Sequence, residues 1–145
     1  HYESQRDALN PSFQSGGGGL WSTIGDYTRF CQAMEQYGVL DHKRILNHET
    51  VLFMTQNHIS PGLNVDKNMQ QRNYFGLGFG LSPAVLTSKG MKGAWRWTWG
   101  GAASTYFFID PAQDVTAVFA TQLFPFDFAL NDEFHQVVLE SLAQQ

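Results

Sequence analysis

The chain has 145 residues, of which 43% are hydrophobic and 14% aromatic, so one domain with a sizeable apolar core is expected. Its net charge of -4 and its charged fraction of 15% offer no basic patch for nucleic acid or for an anionic membrane surface. No apolar run approaches the roughly 20 residues that a membrane-spanning helix needs.

The N-terminal part of the chain predicts a loop followed by two helices. Residues 1–19 lack periodicity and end in four glycines, which indicates a loop. A first helix is expected between a capping Ser22 or Thr23 and Gly38, because apolar residues recur there at helical spacing. A second helix is expected over residues 47–58, since an asparagine at its start is a good N-cap.

Three strands are predicted after an exposed polar loop at residues 60–73. In "YFGLGFGLS" apolar residues alternate with glycines, so we expect one strand whose bare face is formed by Gly76, Gly78 and Gly80. Residues 94–109 predict a second long strand that is interrupted by small residues. The third strand, "VTAVFATQL", follows the short turn "DPAQD", so it should pair antiparallel with the second.

A terminal helix completes the predicted order of elements. Its apolar stripe comprises Leu130, Phe134, Val137, Val138 and Leu142. Helices at both ends of an antiparallel meander predict an α+β fold, with a sheet of about three strands and helices on one or both sheet faces.

Candidate metal, phosphate and thiol sites are weak. His42, His48 and His58 match no common metal motif, so no metal site is expected. The glycine run at residues 16–19 lacks the lysine and hydroxyl residue that close a phosphate-binding loop. Cys31, the lone cysteine, lies among helical apolar positions and is predicted to be a buried, inert thiol. No cofactor is expected.

Trp95, Trp97 and Trp99 share one face of the predicted second strand. They could form a stacking platform for sugars or bases, or they could fill the core. Core filling is favoured for Trp95 and Trp97. Arg96 should lie on the opposite strand face, because side chains alternate along a strand.

The segment "TWGGAAST", residues 98–105, is unusually bare for a strand. Small residues are expected where another group must approach the backbone closely. The segment could be a bulge or a close helix contact without catalytic meaning, or it could line a cleft that admits a substrate.

Four ordered blocks carry a family resemblance: "GGGGLWSTIGDYTRF", "GVLDHKRILNHETVLFMTQNH", "YFGLGFGL" and "WTWGGAASTYFFIDPAQDVTAVFATQ". Together they resemble the C-terminal half of the serine beta-lactamase-like family, which includes class C beta-lactamases, penicillin-binding DD-peptidases and related esterases. The resemblance extends from about residue 11 to the end of the chain. It implies that residues 1–145 form a single partial domain, the sheet-containing half of a beta-lactamase-like fold, and that the glycine run is structural.

The resemblance also implies a site. Trp99, Gly100 and Gly101 stand at the position of the family's third motif, Lys-Thr-Gly, and would line the pocket of a small acyl substrate, an ester, an amide or a beta-lactam. The backbone N–H of Ala102 matches the position of one oxyanion-hole donor. Because the lysine of the motif is missing, neutral substrates are favoured over carboxylates, and replacement of that lysine by Arg96 is disfavoured by its opposite face.

Two further family motifs, Ser-x-x-Lys with the nucleophile and Tyr-x-Asn or Ser-x-Asn, do not occur in the 145 residues. We therefore expect the C-terminal part of a longer serine hydrolase, inactive without its N-terminal half, and the start at His1 fits a cut or processed chain. The alternatives are a stand-alone binding or assembly module and a non-catalytic homologue that acts as a scaffold.

Loss of the N-terminal half would expose the bare glycine face or the tryptophans, so self-association is expected. No targeting segment is recognisable, and both periplasmic and cytoplasmic locations are left open.

Overall fold

A computed structural model describes residues 13–60, 74–83 and 95–143. The predicted loop at residues 60–73 lies outside the described residues except for Ser60, as does the start of the predicted N-terminal loop. The described ranges contain three helices and seven strands: α1 (Ile24–Glu35), β1 (Val39–Leu40), β2 (Lys43–Arg44), α2 (His48–Met54), β3 (Tyr74–Phe75), β4 (Gly80–Pro83), β5 (Trp95–Gly100), β6 (Tyr106–Asp110), β7 (Val115–Phe119) and α3 (Phe128–Ala143).

Helix α1 begins and ends at the signals that the sequence provides. The hydroxyl of Thr23 accepts a hydrogen bond from the Asp26 N–H at 3.1 Å and so caps the helix. After the last turn, Gly38 has φ +88° and donates its N–H to the Ala33 carbonyl at 2.7 Å. A left-handed residue that closes the C-terminus favours glycine, and a Cβ here would collide with the Leu46 carbonyl.

Helix α2 is shorter than predicted, ending at Met54 and not at His58. The reason is a tertiary contact: the His58 N–H donates to the Phe75 carbonyl at 2.8 Å, which aligns the chain after the helix with strand β3. Local helical propensity is a weak preference that such contacts override.

The segment expected to be the first strand is a hairpin. Strand β3 pairs antiparallel with β4, and Tyr74 lies opposite Leu81. Gly76 closes the turn by donating its N–H to the Phe79 carbonyl at 2.8 Å, and Gly78 has φ +91°. The glycines therefore serve the turn, and the predicted bare glycine face does not form.

The second predicted strand, residues 94–109, is also a hairpin. Its small residues form the connection between β5 and β6, where Ser104 has φ +58°. The sheet order is β3-β4-β5-β6-β7, with all pairs antiparallel, so five described strands replace the expected three. The antiparallel pairing of β6 with β7 across the short turn is confirmed.

One side of the sheet, which we call the tryptophan face, carries the main core. On β5 and β6 it presents Trp95, Trp97, Trp99, Phe107 and Ile109. Helix α1 covers it: Tyr27 packs on Phe107 with ring centroids 5.2 Å apart. Val51 of α2 belongs to the same cluster, and Trp97 is only 3% exposed, which confirms that the tryptophans of β5 fill the core.

The other side, which we call the arginine face, presents Arg96, Tyr106, Phe108 and Asp110 and is covered by α3. Phe134 of α3 packs on the rings of Phe108, at 6.3 Å, and of Phe119, at 5.0 Å. Val137 of the predicted apolar stripe is 57% exposed, so only part of that stripe faces the sheet. The α+β class with helices on both faces of an antiparallel sheet is confirmed.

Candidate functional site

The segment from Trp99 to Ala102 lies at the end of β5 and enters the turn to β6. Trp99 is half-buried, lies opposite Phe107 in the sheet and packs edge-on against Phe75, with ring centroids 4.9 Å apart. The indole is therefore held in place by the core at the point where the strand ends.

Other parts of the chain approach the two glycines after Trp99 closely. A Cβ on Gly100 would lie 3.1 Å from the Phe126 ring and 3.1 Å from the Thr105 carbonyl. Gly101 donates its N–H to that carbonyl at 2.9 Å, and a Cβ on it would collide with the Thr105 hydroxyl. The predicted non-catalytic close contact is thus present, with an aromatic side chain in place of a helix.

Ala102 follows at the outer end of the hairpin and is exposed. Within residues 13–60, 74–83 and 95–143, no hydrogen bond is formed by its N–H. A backbone N–H without an internal acceptor needs water or a ligand oxygen as its partner.

Ser104 ties this turn to the start of α3. It is fully buried, donates its hydroxyl proton to the Leu123 carbonyl at 3.0 Å and accepts the Asp127 N–H at 2.9 Å. The sequence did not predict a role for this residue, because a single hydroxyl among small residues does not indicate a partner. Its partners lie 19 and 23 residues away in sequence.

The chain between β7 and α3 forms what we call the aromatic corner, which surrounds an open cavity of about 450 Å³. The rings of Phe126 and Phe128 meet nearly perpendicular, with centroids 4.6 Å apart. The Asp127 carboxylate accepts the Ala129 N–H at 2.9 Å and so caps α3. The residues that line the cavity are Leu123, Phe124, Pro125, Phe126, Asp127, Phe128 and Ala129.

A buried charge cluster lies on the arginine face. Arg96 donates through Nε to Asp110 Oδ2 at 2.9 Å, and its Nη2 lies 2.8 Å from the same oxygen. Its Nη1 lies 2.7 Å from His135 Nε2. Because arginine has donors only, His135 must accept here in its neutral form. The predicted position of Arg96, opposite to Trp99, is confirmed.

The surroundings of His135 favour that neutral form. Burial, followed by the charge of Arg96, lowers the pKa of this histidine, while Asp132 and Asp110 act in the opposite direction. The guanidinium is held by these two partners through Nε and Nη1, while its buried Nη2, although close to Asp110, forms no hydrogen bond within the described residues.

The cysteine and two of the histidines considered as candidates are engaged in contacts within the fold. Cys31 is fully buried, and burial raises the pKa of its thiol to about 12, which confirms the predicted inert cysteine. His48 packs against the Tyr37 ring, and His58 Nε2 lies 2.7 Å from the Phe53 carbonyl. In the part of the chain that the structure describes, His, Cys, Asp and Glu do not gather in threes around a metal position.

The described helices include none that is both long and apolar enough to cross a membrane.

Comparison with known proteins places the fold in context. The family model described as Beta-lactamase matches residues 2–140, nearly the whole chain.

Two curated relatives come from Mycobacterium tuberculosis: Protein Rv1367c of strain H37Rv and Uncharacterized protein MT1414 of strain CDC 1551 / Oshkosh. Each is 32% identical over 122 residues, which cover 79% of this chain but 30% of the relative. The chain therefore spans about a third of the length of these relatives.

A solved structure also matches this chain over only part of its own length. The crystal structure of the "putative beta-lactamase" from Bacteroides dorei DSM 17855 superposes with a TM-score of 0.51 at 25% identity. The match covers 78% of this chain and 38% of the Bacteroides chain. The strands and helices described above thus have their counterpart in part of a larger protein.

Proposed function

Because this chain belongs to the beta-lactamase family, we propose that it is the C-terminal part of a serine hydrolase that transfers the acyl group of a neutral ester or amide to water. The observation that carries the proposal is the exposed Ala102 N–H, which has no acceptor in the described residues and directly follows Trp99-Gly100-Gly101. The segment stands where the family resemblance implies the third motif.

In this proposal Ala102 supplies one donor of the oxyanion hole. In this role the N–H donates to the oxygen on which negative charge develops when the carbonyl is attacked. Such a donor stabilises the transition state by on the order of 3 kcal/mol. Trp99 forms one wall beside it.

Electrostatics favour a neutral substrate. The motif lacks its lysine, and Arg96, the cation nearest in sequence to Trp99, is paired with Asp110 on the opposite sheet face. Among the described residues that line the neighbouring aromatic corner, the charged side chain is Asp127, and its carboxylate repels anions. A carboxylate-bearing beta-lactam is therefore a poorer substrate than an uncharged ester.

The nucleophile must come from elsewhere in a longer protein, since Ser-x-x-Lys does not occur in these 145 residues. We propose that the isolated chain is inactive and that the parent forms an acyl-enzyme on that serine. A parent about three times as long fits the share of the Mycobacterium tuberculosis relatives that the chain covers.

A fluorophosphonate probe tests this proposal together with p-nitrophenyl acetate hydrolysis. The full-length protein encoded by the source gene should be labelled on a serine within Ser-x-x-Lys and should hydrolyse the ester, while the 145-residue chain should do neither. If the full-length protein is neither labelled nor active, the chain is a binding module or a non-catalytic scaffold.

Self-association of the isolated chain remains a prediction. The glycine face cannot contribute, but strand β7 has β6 as its sheet neighbour and, within the described ranges, no strand on its other side. An open edge of five residues can pair with a second copy. Sedimentation velocity should show dimers that grow with concentration, and a monomer at every concentration would contradict this.

A further inference from the structure

We propose that the aromatic corner, residues 123–129, is the pocket that binds an apolar acyl group of the substrate, so that the parent hydrolase prefers esters of large apolar acids. The proposal rests on the function proposed above and adds the class of acyl group.

The corner exposes several large apolar side chains within one short segment. Leu123 is 44% exposed, Phe124 43% and Phe128 63%, although all three belong to one short segment. Together with Phe126 they line a wide-open depression of about 450 Å³. Contiguous exposed apolar surface around a cavity is typical of ligand binding.

The aromatic corner contacts the strand end that leads to the proposed oxyanion donor. Phe126 contacts Gly100, since a Cβ on that glycine would lie 3.1 Å from its ring. Gly100 precedes Ala102 by two residues, so the ring that lines the cavity also touches the strand end that carries the donor. An acyl chain whose carbonyl oxygen binds the Ala102 N–H therefore has an apolar surface within reach.

Ser104 holds the two parts in a fixed relation. Its buried hydroxyl bonds to the Leu123 carbonyl and the Asp127 N–H, at the two ends of the segment that carries Phe126. The turn and the corner thus behave as one unit, as a site must when it positions a carbonyl and its substituent together. Ser104 is a positioning residue in this account.

The charge of the corner narrows the class of acyl group. Among the described residues that line the cavity, the charged side chain is Asp127, and its carboxylate is fixed by capping α3. It disfavours acyl groups that carry a carboxylate of their own. The fitting substrates are esters of uncharged aromatic or medium-chain acids, such as phenylacetate and octanoate esters.

Ester selectivity of the full-length protein tests the proposal. We would measure kcat/KM for p-nitrophenyl acetate, octanoate and phenylacetate with wild type, Phe126→Ala and Phe128→Ala. Wild type should prefer the two large esters by about tenfold or more, because burial of the larger apolar group stabilises the bound acyl chain. Each variant should reduce that preference about fivefold or more.

Phe53→Ala is the matched control, since Phe53 is 56% exposed on α2 and does not line the cavity. It should keep the wild-type preference. Should Phe126→Ala fail to fold, Phe128→Ala still decides, because a ring that is 63% exposed contributes little to folding.

The outcomes separate this proposal from the one on which it rests. If the wild type hydrolyses acetate but shows no preference for the large esters, or if both folded variants keep the preference, the acyl pocket is wrong and the hydrolase stands. If the wild type hydrolyses no ester and is not labelled by the fluorophosphonate, both proposals are overturned.

Discussion

The two faces of the sheet are held by different forces, although strand β5 contributes to both. On the tryptophan face, Trp97 packs into an apolar cluster with helices α1 and α2. On the arginine face, Arg96, one residue earlier, forms a buried ion pair and contacts His135 of α3. Burial of apolar area has no intrinsic pH dependence. On the arginine face, by contrast, the stability of the packing between α3 and the sheet depends on the protonation of the buried groups.

The difference matters because the candidate site lies where the two faces meet. Trp99 belongs to the tryptophan face, while Gly100 contacts Phe126 of the segment that leads into α3. The position of α3, and with it the aromatic corner, therefore depends on the arginine face. Substitutions on the two faces should separate these contributions.

The largest effect is expected from Asp110→Ala. The substitution leaves Arg96 buried and unpaired and removes the acceptor of the Ala112 N–H. It should lower the free energy of unfolding by about 3–5 kcal/mol in urea denaturation. Asp41→Ala is the control, because the pair of Asp41 with Arg29 is exposed and should contribute at most about 1 kcal/mol. Equal losses for the two variants would contradict a buried ion pair on the arginine face.

On the tryptophan face, Leu81→Ala should cost about 3 kcal/mol through lost burial and an unfilled cavity, since Leu81 is 2% exposed. Urea denaturation at pH 5, 6, 7 and 8 should give the same loss at each pH. A loss that varies strongly with pH would show that the two faces are not independent.

Ser104→Ala tests the junction between the faces. It leaves the Asp127 N–H and the Leu123 carbonyl without their partner, which should cost about 1–3 kcal/mol. In the full-length protein it should also reduce ester hydrolysis. If stability falls while activity is unchanged, Ser104 is structural only.

The smallest expected effect concerns His135, and its sign follows from the lowered pKa. The folded state disfavours the protonated form, so the unfolded chain binds more protons between the lowered pKa and the ordinary value near 6.5. The stability contribution is present above about pH 6.5 and is lost as the pH falls below it. His135→Gln should flatten this part of the stability profile relative to wild type, while Leu81→Ala should retain it.

Much of the fold could be predicted from local sequence. The caps of α1, the buried cysteine and the pairing of β6 with β7 follow from residue types within a few positions of each other. The placement of Arg96 opposite the tryptophans follows from strand alternation alone, and the structure confirms it.

The two hairpins could not be predicted in this way. In "YFGLGFGLS" glycine and apolar residues alternate through the turn as well as through the strands. The sequence pattern is therefore that of one straight strand and does not indicate the turn. The turn is fixed by the left-handed Gly78 and by the bond from the Leu77 N–H to the Met54 carbonyl, a contact from another element.

The contact between the aromatic corner and Gly100 could not be predicted either, because it also joins distant parts of the chain. Phe126 lies far along the chain from Gly100, and nothing local indicates that its ring accounts for the missing side chain there. The small residues predicted a close approach correctly, but only the structure identifies which group approaches.

The central claim is that the Ala102 N–H stabilises an oxyanion, and removal of that N–H tests it most directly. In the full-length protein Ala102→Pro should lower kcat for p-nitrophenyl acetate by about 10²–10³-fold, whereas Ala102→Ser, which keeps the N–H, should stay close to wild type. Thermal unfolding should establish that both variants are folded. A folded Ala102→Pro variant with wild-type kcat would contradict the account.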